Sequence, residues 1–257
     1  MDSTPIIINV CIVSYRDKRI VETAESAYSR AIHKNNIKLL TFIQDSHWHK
    51  IKKTDRDVVV YGPWDHFEGF SKMRHSLVNA VPKNEYILFA SSATAFSEGW
   101  DEKIMNLIHS HDDNVVFSLT EDKFNINGTL IKKDVFNKIG YPTYLRLLGE
   151  EEDLSIRLYA NGYKVLSSID SILTPLEQKN HDYTPFSQNH GYNNVYELYQ
   201  TGKNKFVDLT NCQFSWAVYA EKYPIKKIIH QLDDVEYTNG DIVPPRYERF
   251  HGHGNRI

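Results

Sequence analysis

Cysteine is scarce in this chain of 257 residues, with only Cys11 and Cys212. Two cysteines cannot form the disulfide framework of a small secreted domain, and Cys11 lies inside an apolar run, so a reducing compartment is expected. Long hydrophobic stretches are lacking too: no run approaches the ~18 apolar residues of a membrane span. The N-terminus has no basic-then-apolar leader pattern. These absences lead us to expect a soluble, cytoplasmic protein with no membrane partner. An excess of positive charge is also missing. The formal net charge of −3 gives no general attraction to nucleic acid or anionic lipid, although a local basic groove is compatible with it. There is no internal repeat and no low-complexity tract. The triplet Asn127-Gly128-Thr129 fits a glycosylation sequon but, without a secretory leader, reads as coincidence.

What is present is ordinary globular material. Hydrophobic residues make up 41% and charged residues 25%, enough for a substantial core in one domain or slightly more. Sixteen tyrosines dominate the aromatics and are suited to stacking on sugar or base rings. Abundant Lys, Asn, Ile and Tyr is the composition of an AT-rich genome, which a virus or phage would supply.

Residues 6–14 are nearly continuously apolar, as in a strand buried on both faces of a parallel sheet. Residues 20–32 carry Ala24, Ala27, Tyr28 and Ala31 at helical spacing. Strands are expected at 37–43, 57–61 and 86–90, with a helix at 70–81 between the last two. A helix at 100–109, a strand at 115–119, another at 124–131 and a short helix at 134–138 follow. This alternation predicts an α/β sheet. Ligands in such sheets bind beyond the carboxyl ends of the strands, here residues 14–17, 44–45, 61–63 and 91–94. Polar residues gather there, as they do at most strand ends.

The stretch 147–166 organises the rest. Gly149 permits a turn, and the acids Glu150, Glu151, Glu152 and Asp153 stand where a helix would begin. Unpaired amides and the helix dipole favour negative charge there. Leu154, Leu158 and Ala160 give the helix an apolar side, Arg157 lies one turn beyond Asp153, and Asn161-Gly162 stops it. A strand is expected at 163–166. The acids either complement the helix end or include a catalytic carboxylate. Beyond Leu166 the sequence becomes irregular, with helix-like pieces at 193–199, 215–222 and 225–232 and a polar end. We divide the chain into a core at 1–168 and a C-terminal extension at 169–257 packed on it.

Three segments, taken together and in order, resemble a glycosyltransferase of the GT-A type. They are most similar to the cytoplasmic N-acetylglucosaminyltransferases that modify hydroxyproline on a ubiquitin-ligase subunit, and to their bacterial and viral relatives. The first is residues 10–17, ending Val-Ser-Tyr-Arg-Asp. The second is residues 69–101, with Met73-Arg74, the 86–90 strand, Phe96 and Gly99-Trp100-Asp101. The third is Gly149-Glu150-Glu151 with residues 154–158 and Gly162. The resemblance spans roughly residues 8–168 and implies a Rossmann-like mixed sheet flanked by helices. It departs from the family at the end of the fourth strand. The family's acidic metal-binding motif, Asp-Ser-His followed by a hydrophobic residue, Arg and Phe, falls on Ser91-Ser92-Ala93-Thr94-Ala95-Phe96. A divalent ion wants carboxylate or imidazole ligands, so no metal is expected there.

By resemblance, Ser14, Tyr15, Arg16 and Asp17 line a nucleotide pocket, with Gln44, Arg74, Ser91 and Ser92 beside it. The implied donor is a nucleotide sugar, a UDP-sugar first of all. The implied acceptor is a hydroxyl on a protein, a small molecule or a modified nucleic-acid base. Glu151 matches the acceptor base and Glu150 is next; Glu152 and Asp153 read as helix-start acids. Arg16 and Asp17 read equally well as a surface ion pair and a helix cap, and Arg74 as a solvated helix position. Without a metal, the leaving diphosphate needs cations such as Arg16, Arg74, or His181 and His190 from the C-terminal region. The other reading is a degenerate transferase kept for binding or assembly, given the loss of acid and His at 91 and 93.

Overall fold

The computed structural model describes residues 5–45, 51, 54–62, 69–119, 125–141, 150–167, 172–176, 237–238 and 241–242. In chain order the elements are β1 (Ile8–Tyr15), α1 (Ile20–Ser29), β2 (Ile37–Gln44), β3 (Val58–Tyr61), α2 (Phe70–Ala80), β4 (Tyr86–Ser91), β5 (Thr94–Phe96), α3 (Trp100–His109), β6 (Val115–Ser118), β7 (Thr129–Lys132), α4 (Lys133–Ile139), α5 (Glu150–Ala160), β8 (Lys164–Ser167), β9 (Leu173–Pro175), β10 (Tyr237–Thr238) and β11 (Asp241–Ile242).

Seven strands form one mixed sheet in the order β3-β2-β1-β4-β7-β6-β8. β1 pairs parallel with β2 and β4, and β6 parallel with β8, while β7 runs antiparallel between β4 and β6. β1 is buried at every position, which is why it reads as an unbroken apolar run. Its odd residues Cys11, Val13 and Tyr15 join Phe89, Met73, Leu77, Leu154 and Leu158 in a core on one face of the sheet. Its even residues Ile8, Val10 and Ile12 join Ala24, Ala27, Phe96, Trp100 and Ile104 in a second core on the other.

Four expectations change. The helix expected over 20–32 ends at Ser29, where the chain turns to meet the start of α3. Gly99 N donates to Arg30 O at 2.8 Å, and the Arg30 guanidinium donates to Phe96 O at 2.6 Å. The strand expected over 124–131 is Thr129–Lys132, because residues 126–128 form a turn whose Gly128 N donates to Phe89 O. Residues 94–96 and 173–175 form an antiparallel pair, where a plain loop and an irregular tail were expected. Asp57 stands just before β3, where its carboxylate caps Leu39 N at 2.8 Å. The helices expected at 193–199, 215–222 and 225–232 lie outside the described residues, as does Gly149.

The Gly99-Trp100-Asp101 triplet has a structural explanation. Gly99 sits at φ +63, Trp100 Nε1 donates to Ala27 O at 2.8 Å, and the buried Asp101 carboxylate accepts from the amides of Ile32 and His33. Together they lock α3 onto the end of α1. A Cβ at Gly99 would adopt a left-handed backbone and stand 3.1 Å from Ile32 Cδ1. Gly99→Ala is therefore expected to lose about 1–2 kcal/mol, read as a lower urea midpoint with an unchanged slope.

α5 ends as its sequence indicates. Gly162 takes φ +77, Asn161 N donates to Arg157 O, and Tyr163 N donates to Leu158 O at 3.0 Å, the glycine-terminated closure of a helix. Leu154 and Leu158 are fully buried. Asp153 corrects the reading of a helix-start acid: its side chain is fully buried and paired with Arg157 at 2.5 Å, and Arg157 also donates to Ile139 O at 3.0 Å.

Candidate active site

The register of the parallel strands sets the site. Tyr15 lies opposite Gln44 and Val13 opposite Ser91, so the last residues of β1, β2 and β4 reach one end of the sheet. Tyr15 and Gln44 are both buried there, and burial pushes the Tyr15 hydroxyl above the usual phenol range. Arg16 follows at φ 52, an uncommon backbone for a side chain of its size, and its amide donates to Gln44 O at 3.1 Å. Its exposed guanidinium lies over the Tyr15 ring, 5.0 Å from the centroid.

Asp17 is the hub of the β1–α1 turn. One carboxylate oxygen accepts from Arg19 N at 3.1 Å and Arg19 Nε at 2.9 Å. The other accepts from Arg19 Nη2 at 2.9 Å and Ser92 Oγ at 2.8 Å. Burial pushes this carboxyl up, but the bonds from Arg19 and Ser92 outweigh it and hold it below the usual range. Ser14 Oγ donates to Asp17 O at 2.9 Å and steadies the same turn. Asp17 and Arg19 thus form the ion pair that the sequence suggested for Arg16 and Asp17, shifted to a different arginine.

At the end of β4, Ser91 Oγ and Thr94 Oγ1 share a hydrogen bond of 2.9 Å, and Ala93 N donates to Ser91 Oγ at 3.2 Å. These residues do not fit a divalent ion. The Ser91 and Thr94 hydroxyls bond each other, and Ser92 Oγ bonds Asp17, the one carboxylate they touch among the described residues, which already takes four hydrogen bonds, about the capacity of its lone pairs. Among the described residues no group of three His, Cys, Asp or Glu side chains could hold a metal.

The acidic helix start lies on the face of the sheet that Tyr15 enters, since Leu154 and Leu158 share a core with Tyr15, Met73 and Leu77. Arg74, projecting from α2, is buried and pairs through Nη1 with Glu150, while its Nη2 donates to Asn127 Oδ1 at 2.8 Å. Tyr141 donates its hydroxyl to the other Glu150 oxygen and stacks on His75, with ring centroids 5.9 Å apart. Burial, then the adjacent Glu150 charge, pushes the Tyr141 hydroxyl well above the usual phenol range. Arg74 and Glu150 are therefore bound to each other, in place of the solvated helix position considered for Arg74. Glu151 is half-buried, and its Oε1 accepts from Ile126 N at 3.0 Å. Asn127 and Ile126 belong to the turn before β7, so this one turn touches both Arg74 and Glu151.

Three residues join these two clusters without having been expected from the sequence: Arg19 at Asp17, and Asn127 and Tyr141 at Arg74 and Glu150. Arg19 was signalled by the basic run Arg16-Asp17-Lys18-Arg19. Asn127 heads the triplet dismissed as a sequon, and Tyr141 had no periodic signal at all. His181 and His190 lie outside the described residues.

A mixed sheet of this order, flanked by helices and carrying its polar cluster at the strands' carboxyl ends, is the GT-A, nucleotide-diphospho-sugar-transferase type of fold. Among solved structures it is similar to S. aureus TarS, residues 1–349, in complex with UDP-GlcNAc, with a TM-score of 0.60 and 12% identity over 84% of this chain and 70% of that one. The same TarS fragment in complex with UDP gives a TM-score of 0.58 at 12% identity, over 88% of this chain and 71% of that one. Against a longer TarS chain the TM-score is 0.60 at 12% identity, and the match covers 91% of this chain but 45% of that one. No protein-family model matches the chain, and no curated protein matches it in sequence.

Proposed function

We propose that this protein is a glycosyltransferase that moves a sugar from a UDP-sugar donor to a hydroxyl acceptor, without a metal at the end of β4. One observation carries the reading: TarS, which shares the fold, is solved with UDP-GlcNAc and with UDP. Tyr15, Arg16 and Gln44, gathered at the ends of β1 and β2, would hold the nucleotide. Ser14, Asp17, Ser91 and Ser92 would shape the wall beside the diphosphate. Glu151 would take the acceptor's proton as its oxygen bonds to the anomeric carbon. The bond from that carbon to the phosphate oxygen breaks, and its electron pair leaves with UDP. Residues 1–168 would form the donor half and residues 169–257 the acceptor surface, whether for protein, small molecule or modified base. We assign the activity to the cytoplasm, of a host cell if the chain is viral.

A second reading, a degenerate transferase kept for binding or assembly, is favoured by the mutual engagement of Arg74 and Glu150 and by the serine at position 91. Calorimetry with a panel of nucleotide sugars, with and without manganese, separates the two. The transferase reading expects binding of at least one UDP-sugar at an affinity that manganese leaves unchanged. Absence of binding to every donor would leave the assembly reading.

A further inference from the structure

The β1–α1 turn carries three cations, Arg16, Lys18 and Arg19, and one carboxylate, Asp17, which grips Arg19. We propose that this turn supplies the fixed positive charge for the donor's diphosphate in place of a divalent ion, with Arg19 as its anchored element. The proposal rests on the transferase reading and names the group that performs the electrostatic part of it.

Three observations lead there. Position comes first. Asp17 Oδ2 accepts from Ser92 Oγ at 2.8 Å, so the Asp17–Arg19 pair stands against the β4 turn where an acid-bound ion would have been expected. Arg19 reaches that spot from the first turn's edge, with 14% of its side chain exposed. Rigidity comes second. Asp17 grips Arg19 through Nε and Nη2 in a two-pronged fork and also accepts from its backbone amide. A cation held this way needs no reorganisation when charge develops on a leaving phosphate. Sign comes third. Asp17 offsets one of the three cations, and Arg16 and Lys18 are exposed on either side of it, so the turn keeps a positive surplus in a chain that is negative overall. Guanidinium is the side-chain group whose planar donors match phosphate oxygens. Ser92 and Asp17 then act as positioning residues: Ser92 bonds Asp17, and Asp17 fixes the Arg19 donors while offsetting their charge, so the surplus comes from Arg16 and Lys18.

Calorimetry of the full chain with UDP and with uridine tests this, in EDTA and in manganese. The intact protein is expected to bind UDP more tightly than uridine, equally in both buffers. Arg19→Met should weaken UDP by about ten- to a hundredfold, the worth of a charge-assisted bond, and leave uridine within about twofold. Arg19→Lys should recover only part of the loss. The exposed pair Arg16→Gln/Lys18→Gln carries the test even if Arg19→Met does not fold. It should weaken UDP by about threefold or more and flatten the salt dependence of binding. Unchanged UDP affinity in Arg19→Met, or in the double variant if the first does not fold, overturns the proposal and leaves the transferase reading standing. So does UDP binding that manganese strengthens about tenfold. An intact protein that binds neither UDP nor any UDP-sugar overturns both.

Discussion

Arg74→Met is expected to destabilise the protein by about 3–5 kcal/mol, the cost of leaving one member of a buried ion pair without its partner. Arg74 and Glu150 are 5% and 7% exposed in their side chains, too little for water to replace the lost contact. Asn127 Oδ1 would lose its 2.8 Å donor at the same time. Among the described residues only Tyr141 would remain to satisfy the Glu150 carboxylate. Urea unfolding of the variant reads the loss directly as a shift in midpoint at constant slope. Glu150→Gln added to Arg74→Met should recover part of the stability, because the orphaned charge is gone while Tyr141 keeps an acceptor. The pair should therefore be strongly non-additive in a double-mutant cycle. A loss below about 1 kcal/mol for Arg74→Met would mean an ion pair open to solvent and would remove the buried anchor from the start of α5.

The second large effect concerns the next residue. Glu151→Gln should lower donor turnover by about 10²–10⁴-fold, the usual contribution of a positioned proton acceptor, while UDP-sugar binding persists. The substitution is gentle to the fold. A glutamine carbonyl can still accept from Ile126 N, the 3.0 Å bond that orients the side chain, and Ser155 Oγ continues to donate to the main-chain oxygen at 2.6 Å. An unchanged unfolding midpoint with lost turnover would separate chemistry from stability. Turnover within about threefold of the parent would take the base role away from Glu151.

These two neighbours illustrate what the sequence conveys and what it withholds. Both stand at the head of a helix that the acids, the Leu154 and Leu158 spacing and Asn161-Gly162 announce, and α5 spans Glu150–Ala160 accordingly. The sheet was legible for a similar reason. β1, β2 and β4 lie in the interior of the sheet and read as apolar runs of strand length, and α3 begins and ends at the residues its pattern indicates. Pairings distant in sequence left no such mark. Arg74 meets Glu150 across 76 residues and Ser92 meets Asp17 across 75, and no periodicity encodes either. β5 and β9 have three residues each, too short to show alternation, and they find each other only across the fold. Asp153 looked like its acidic neighbours, yet the Arg157 one turn later draws it fully inside. The acid at position 91 was an expectation of the resemblance alone, and serine stands there. That Asp17 and Arg19 occupy the neighbourhood of that position depends on the bend of the β1–α1 turn, where Arg16 takes a left-handed backbone.

The reversed direction of β7 has a mechanical result. In a wholly parallel sheet, the strand between β4 and β6 would end where β1 and β4 end. Running backwards, β7 instead begins there, and the two residues ahead of its starting turn's glycine divide their grip: Asn127 holds Arg74 and Ile126 holds Glu151. The turn acts as a yoke. A lengthened or slackened 125–128 segment would swing the α2 arginine and the α5 carboxylate together, so a loop remote from both in sequence tunes their alignment as a single unit.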